Sequence, residues 1–294
     1  MRRPASPRHD DVQNAPRRIG TMRMTGATPV SAPASPGEIN LLGVKVSALN
    51  LESATARLSA AIRAGRRGYV CLCGAHGLVD SQSMPELRRA YNEAFLVTPD
   101  GMPLVWELRR QGHTEAGRVY GPDLMLELMR EPGLRHALYG TTEHTLTKLE
   151  HRLKELAPAA TIVCRIAPPF RALTPEEEDK ITRDLNAADA DLIWVGLGAP
   201  KQELWMARMR ERLTAPMLIG VGAAFDFHAG NTPQAPGWVQ QRGLEWLYRL
   251  TREPKRLWRR YVRVVPGYLY LLALQRTGLR GFAAPPQIEV QEAP

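Results

Sequence analysis

The chain has 294 residues, three cysteines and a formal net charge of +9; its length allows one large domain or two small ones, and so few cysteines exclude a disulfide framework, leaving Cys71, Cys73 and Cys164 as buried thiols of a reducing cytosol. The charge is uneven: residues 1–38 sum to +3, residues 242–280 carry ten basic side chains against Glu245 and Glu253, and the body between them is neutral, which points to an anionic partner at the C-terminal end. No uncharged run of about eighteen apolar residues exists, so no membrane span is expected.

Residues 1–38 are rich in Pro, Ser, Ala and Arg and lack an apolar signal core. They read as a disordered leader rather than a secretory signal, with Met22 or Met24 as alternative starts. From Ile39 strands and helices alternate. Ile39–Val46 reads as a strand, and Asn50 caps a helix running to about Ala64. Tyr69–Cys73 is a second strand, closing at Gly74-Ala75-His76, with helical segments through Ala94. Phe95–Thr98 is a third, ending in Pro99-Asp100-Gly101 before a helix from Pro103 to Arg110. Gly121-Pro122-Asp123 starts another helix; His136–Tyr139 is a strand stopped by Gly140, with a helix from Thr142 to Leu156. Thr161–Ile166 is the next strand. Thr174-Pro175-Glu176-Glu177 then carries a capping threonine, an early proline and a glutamate three residues on, a strong helix start.

The stretch from Asp191 to Gly230 organises the rest. Leu192–Val195 is a buried strand, Gly196-Leu197-Gly198-Ala199-Pro200 a turn, Lys201–Arg212 a helix and Met217–Val221 a second strand. Strand, helix, strand of this kind forces parallel pairing, and ligands of open parallel sheets sit beyond the carboxyl ends of the strands. Gly198, Lys201, Gln202 and the Gly222–His228 segment fall there. The expected architecture is an α/β, doubly wound, Rossmann-like and mostly parallel sheet over residues 39–237. A basic, aromatic helical appendage over 238–280 follows, interrupted near Pro254 and Pro266, and a flexible tail over 281–294.

Several chemistries can be weighed on spacing. No Gly-x-x-x-x-Gly-Lys-Ser/Thr segment exists, and Gly196-x-Gly198 and Gly220-x-Gly222 lack the third glycine of a dinucleotide loop. Asp189-Ala190-Asp191 spells a D-x-D, a metal-holding pattern in many sugar transferases. It precedes its strand, though, and so lies at the amino edge, away from the ligand. The lone Cys71-x-Cys73 is a weak metal site. Asp100 at a strand end is either a turn aspartate or a general base, with Gly101 beside it leaving room for substrate. Asp226 between two phenylalanines could meet a nucleobase, and His76 taken alone reads as structural more readily than catalytic. The C-terminal segment admits nucleic acid, a solvated helix face, or an interfacial helix pair reaching anionic phosphates; the last suits both its arginines and its aromatics. Trp258, Tyr261 and Tyr268 are its candidate anchors.

The blocks TPDGMPLVW (98–106), RVYGPDL (118–124), PPFR (168–171), WVGLGAPKQELWMA (194–207), GVGAAFDFHAG (220–230), QAPGWVQQRGLEW (234–246) and YRLTREPKRLWRRY (248–261) resemble the WecG/TagA/CpsF glycosyltransferases, in collinear order from about Ile39 to Leu271. The resemblance implies inverting, metal-independent transfer of a hexose, of the N-acetylmannosamine type or related, from a UDP-sugar to a polyprenyl-diphosphate-linked sugar. It also implies cell-surface or exopolysaccharide synthesis, a peripheral place on the cytoplasmic face of the cell membrane, and neither cofactor nor nucleic acid. Asp100 matches the base, Arg118 and Gln202 further active-site positions, and Asp226 a carboxylate near the uracil. Arg249, Arg256 and Arg259 match appendage arginines that neutralise the leaving diphosphate, all three on one helical face if the helix continues past Pro254. Where many members read Thr-Pro-Asn, this chain has Leu72-Cys73-Gly74, so the threonine hydroxyl is absent and His76 is a candidate substitute. Another nucleotide-sugar enzyme such as an epimerase, or a basic membrane- or nucleic-acid-binding module, are the alternatives. The sequence is compatible with a homo-oligomer.

Overall fold

Six apolar runs, consecutive ones joined by helical crossovers, pair side by side in parallel, because a crossover returns the chain to the edge it left. The computed structural model describes residues 37–283; the expected leader up to residue 36 and the tail beyond residue 283 lie outside the described residues. The strands are β1 (Glu38–Leu41), β2 (Val44–Ser47), β3 (Gly68–Cys73), β4 (Leu96–Pro99), β5 (Arg135–Gly140), β6 (Thr161–Ile166), β7 (Leu192–Gly196) and β8 (Met217–Gly220). The helices are α1 (Leu51–Arg63), α2 (Ala75–Asp80), α3 (Pro85–Asn92), α4 (Met102–Arg110), α5 (Gly121–Arg130) and α6 (Glu143–Leu156). They continue as α7 (Pro175–Ala187), α8 (Lys201–Met209), α9 (Ala224–His228), α10 (Gly237–Gln241), α11 (Glu245–Arg252) and α12 (Pro254–Arg276).

The six-stranded sheet runs in the order β4-β3-β8-β7-β5-β6, with every pairing parallel. Alternation along each strand divides the core into two layers. Cys71, Cys73, Val97, Tyr139, Ile193, Val195 and Leu218 face one layer with Leu78, Leu104 and Met206. Val70, Leu72, Leu96, Leu138, Trp194 and Ile219 face the other with Leu58, Leu124, Leu149 and Phe225. This is the doubly wound arrangement. Adjacent strands β3 and β8 send their next helices, α2 and α9, to opposite layers, which opens a crevice at their carboxyl ends.

Local signals set most helix ends. Asn50 and Thr174 each close a reciprocal capping box, with Ser53 and Glu177 respectively. Two expectations are corrected. Ile39–Val46 is not one strand but the antiparallel hairpin β1–β2, turned by Leu42 (φ 54) and Gly43 (φ 83). Two residues with positive φ make a tight hairpin turn, and leucine so seldom adopts that geometry that the pair gave no turn signal. Pro266 does not interrupt the last helix but lies within α12. It stands on the exposed face, where water can solvate the Val262 carbonyl that loses its donor.

α12 packs against the body. Tyr268 and Leu272 join the first core layer, Arg263 pairs with Asp80 of α2 at 2.5 Å, and Gln275 donates to the Asn40 carbonyl at 2.8 Å. Its end is fastened by Arg276, which pairs with the buried Glu107 of α4. Burial works to raise the Glu107 carboxyl, but hydrogen bonds from Arg110, Arg276 and Gln111 outweigh it and hold the group at about 2. Among the described residues no helix is long and apolar enough to cross a membrane.

The sheet centre is tight where β5 meets β7. Gly140 has φ +134, and a Cβ there would lie 2.5 Å from the Gly196 carbonyl oxygen, whereas Gly133 (φ +81) has nothing within 4 Å. Gly140→Ala should therefore lose about 2 kcal/mol or more from strain and overpacking together, and Gly133→Ala only about 1 kcal/mol from backbone handedness. Urea denaturation of both variants checks this; equal losses would show that the close approach is not what constrains Gly140.

Candidate active site

Asp100 follows β4, with its backbone N–H donating to the Cys73 carbonyl at 2.9 Å, so the strand ends fix it at the mouth of the crevice. Its carboxylate faces the N-terminus of α5, where the Gly121 N–H favours its charged form. One oxygen, Oδ1, is buried with no hydrogen-bond partner among the described residues. The side chain keeps 31% of its surface, so the group opens to the cleft on one side. Burial pushes its pKa up to about 7, with Arg118 and Arg249 opposing and Glu245 adding to the rise.

Arg118 lies across this carboxylate. Its Nε donates to the Asp100 backbone carbonyl at 2.6 Å and its Nη1 to Gln240 Oε1 at 3.0 Å. Nη2 sits 2.7 Å from Glu245 Oε2 and 3.6 Å from Asp100 Oδ1. The guanidinium stacks on the Tyr120 ring at 3.9 Å, a contact that fixes its plane. Arg118 also lines a cleft of about 500 Å³ with Met102, Arg109, Tyr120, Asp123 and Gln240.

The other candidates divide. Gln202, near the start of α8, is buried and lies over the end of β8: a Cβ on Gly220 would come within 3.1 Å of its amide nitrogen. Its Nε2 donates to Glu203 Oε1 at 3.1 Å, which leaves the buried Oε1 of Gln202 without a partner among the described residues. Gly198 (φ +77) makes the turn before α8, and Lys201 is exposed. Gly101 caps α4 beside Asp100. His76 is held neutral, its pKa lowered to about 3 by burial and by Arg260 and Arg249. Asp226 is half-buried and accepts from Asn231 Nδ2 at 3.2 Å. Its two aromatic neighbours separate: Phe225 is buried against Gly196, while Phe227 sits 6.2 Å from the Tyr120 ring and 5.8 Å beneath Arg249. No hydrogen bond or ion pair among the described residues joins Lys201 or Asp226 to the Asp100–Arg118 group.

The appendage arginines differ in burial and in partners. Arg249 is half-buried, with its Nε unpartnered among the described residues and its charge acting on Asp100 and His76. Arg256 is 71% exposed and pairs with Glu253, and Arg259 is exposed and lies over the Trp258 ring. The shared face required one continuous helix, but Glu253 leaves helical geometry (φ −130, ψ 55) and α12 begins afresh at Pro254. The half-buried arginine of that helix is Arg260 instead, and its charge acts on His76 and on Glu203. Tyr268 is likewise in the core, 4% exposed, rather than at an outer surface.

Sequence reasoning passed over Glu245, Gln240, Arg260, Glu203 and Thr98. Glu203 is fully buried, and burial pushes its carboxyl up to about 7. Thr98 is the register partner of Leu72 on the neighbouring strand, fully buried, with an unpartnered hydroxyl among the described residues. Gln240 stands in a polar run and Glu245 between Leu244 and Trp246, with no period to mark either; what singles them out is a tertiary partner, Arg118. The D-x-D aspartates are both engaged at the amino edge: Arg135 pairs with Asp189 at 2.6 Å and its N–H donates to Asp191 at 2.7 Å.

The raised pKa of Asp100 has a stability consequence. Between the unfolded value of 3.8 and the folded value of about 7, the folded chain binds more protons than the unfolded one. Stability therefore falls as pH rises through that window, and the penalty is complete above it. Asp100→Asn removes the ionisation. The variant should exceed the parent chain in thermal midpoint at pH 8 and match it near pH 4, as read by calorimetry; a gain independent of pH would contradict the raised value.

The family model described as "Glycosyl transferase WecG/TagA/CpsF family" matches residues 39–281. That span takes in the whole sheet, the crevice at the β3 and β8 ends, the Asp100–Arg118 pair and all three C-terminal helices. The chain is a glycosyltransferase and belongs to the WecG/TagA/CpsF family.

Proposed function

We propose that the enzyme is an inverting transferase that moves a hexose of the N-acetylmannosamine type from a UDP-sugar to a polyprenyl-diphosphate-linked sugar, for a cell-surface or exopolysaccharide, on the cytoplasmic face of the cell membrane. The observation that carries this reading is a half-buried carboxylate, raised to about 7, facing a fixed guanidinium at the crevice mouth. A base tuned near neutral pH can take a proton from a hydroxyl. In the reaction Asp100 accepts the acceptor's hydroxyl proton as that oxygen bonds to the anomeric carbon. The bond from this carbon to the donor phosphate breaks, and its electron pair leaves with UDP. The departing diphosphate gains charge, which preorganised cations stabilise most effectively in a site of low dielectric.

Arg249 and Arg260 supply those cations in this reading, as partly buried groups converging on His76. Arginine forks suit phosphate oxygens, and Gln202 presents an acceptor to the same crevice. With both D-x-D carboxylates bound to Arg135 at the far edge of the sheet, the charge compensation is assigned to arginine rather than to a divalent ion.

Residues 238–280 serve as the membrane-facing appendage. On α12 the exposed Trp258, Val262, Pro266, Leu269 and Ala273 recur at helical spacing and form one apolar stripe. Lys255, Arg259 and Arg263 flank it. An apolar stripe with a basic margin fits an anionic leaflet, each cation there contributing about 1 kcal/mol. Tyr268 is in the core and Tyr261 is half-buried with its ring 5.7 Å from that of Trp246, so Trp258 is the aromatic anchor of this face.

Three outcomes are expected. Asp100→Asn should lower turnover by about two or more orders of magnitude with donor affinity little changed; near-normal turnover in a folded variant removes Asp100 as the base. UDP should be released only when an acceptor is present, and excess chelator should leave the rate intact; magnesium or manganese rescue after chelation would reverse the assignment of charge compensation. Trp258→Glu with Leu269→Glu should abolish sedimentation with anionic vesicles while transfer to a water-soluble acceptor continues. Retained vesicle binding would place the membrane contact elsewhere.

A further inference from the structure

Arg118 has an unusual set of partners for an arginine beside a base. An arginine within about 4–6 Å of a carboxylate lowers its pKa by about 1–3 units, and one that hydrogen-bonds it directly also occupies the lone pairs a base needs. Here the donors of Arg118 are turned elsewhere. Nε is bound to the backbone carbonyl of Asp100 rather than to its carboxylate, and Nη1 is bound to Gln240. Nη2 forms an ion pair with Glu245 Oε2 at 2.7 Å and stays 3.6 Å from Asp100 Oδ1, and neither of these buried oxygens has a hydrogen bond among the described residues. Glu245 is 15% exposed and Arg118 16%, so water does little to screen the contact.

We propose that Glu245, at the start of α11, is a positioning residue for the transfer: it holds the Arg118 guanidinium away from a direct hydrogen bond to the Asp100 carboxylate, leaving that carboxylate free to accept the proton. The proposal rests on Asp100 being the base. It makes the C-terminal segment part of the chemistry through a carboxylate as well as through its arginines. Arg118 then neutralises one of two carboxylates across a gap, and Tyr120, stacked on it, keeps it from swinging.

The groups facing Asp100 come from four sides. Arg118 and Tyr120 precede α5, Glu245 and Arg249 belong to α11, Cys73 ends β3, and the Gly121 N–H heads α5. Asp123 of α5 faces Arg118, and His76 of α2 faces Arg249. Of these, Glu245 alone is a carboxylate in contact with Arg118 besides Asp100, which makes its charge separable by substitution.

The test is the acid limb of kcat/KM against pH in the full chain, with UDP-sugar and a polyprenyl-diphosphate-linked acceptor. Glu245→Gln keeps the shape and releases Nη2 to Asp100, so the limb should move down by about 1 pH unit or more and the plateau kcat should fall. Gln240→Glu adds a second carboxylate on the opposite side of Arg118 and should move the limb up. A group that merely docks α11 would lower activity at every pH and leave the limb in place, so an unmoved limb in both variants overturns the proposal. The second variant decides alone if the first does not fold: an unmoved or lowered limb there is also fatal. Asp100→Asn, run in parallel, separates the two readings. Loss of turnover there with unmoved limbs refutes only the role of Glu245, and retained turnover refutes the base.

Discussion

Two neighbouring parallel strands that lead to opposite faces of a sheet cannot both cover the space above their ends, and the molecule is arranged around that vacancy. β3 turns into α2 on one layer and β8 into α9 on the other. The backbone must part there, above the ends of strands that carry Asp100, His76 and Gln202 into the loops and helices beyond them. The glycines of this edge belong to the same constraint. A Cβ on Gly220 would strike Met206 and crowd Gln202, so a bare backbone is what admits a polar side chain to the floor of the crevice.

Charge in this crevice is balanced rather than neutralised. Asp100, Glu203 and Glu245 are withdrawn from water beside Arg118, Arg249 and Arg260, and few of these groups form a tight isolated pair. Burial raises Asp100 and Glu203 toward neutrality, while His76, between two arginines, stays uncharged. Such a set of partly compensated groups adds little to folding stability, since desolvation offsets much of the attraction. It is suited to meeting an anionic substrate whose own charge completes the pairing.

How much of this was legible depended on the range of the signal. Thr174 and Glu177 lie three residues apart and make the capping box their spacing spells. The parallel β7–β8 pairing followed from strand, turn, helix and strand, and Asp100 was visible because its proline-aspartate-glycine turn ends a strand. The hairpin at Leu42-Gly43 was hidden because leucine with positive φ carries no turn preference, and Pro266 because an exposed helical face tolerates a missing donor. Arg256 and Arg259 were placed by assuming one helical phase across Pro254; the phase resets at Glu253, and Arg260 takes the half-buried position. Glu245 was beyond reach of any local pattern, since its partner lies more than a hundred residues earlier. The family blocks carried fold and reaction class because they cover the sheet ends in order.

α12 is a rod held at separate points along its length, by Arg263 on Asp80 and by Arg276 on Glu107. Its inner side is buried in the core and its outer side is a greasy ridge with a basic border. The same helix packs on α2, whose first turn holds His76, and carries Arg260, whose charge acts on His76 and Glu203. One helix thus presents an exposed apolar ridge on one side and a half-buried cation on the other.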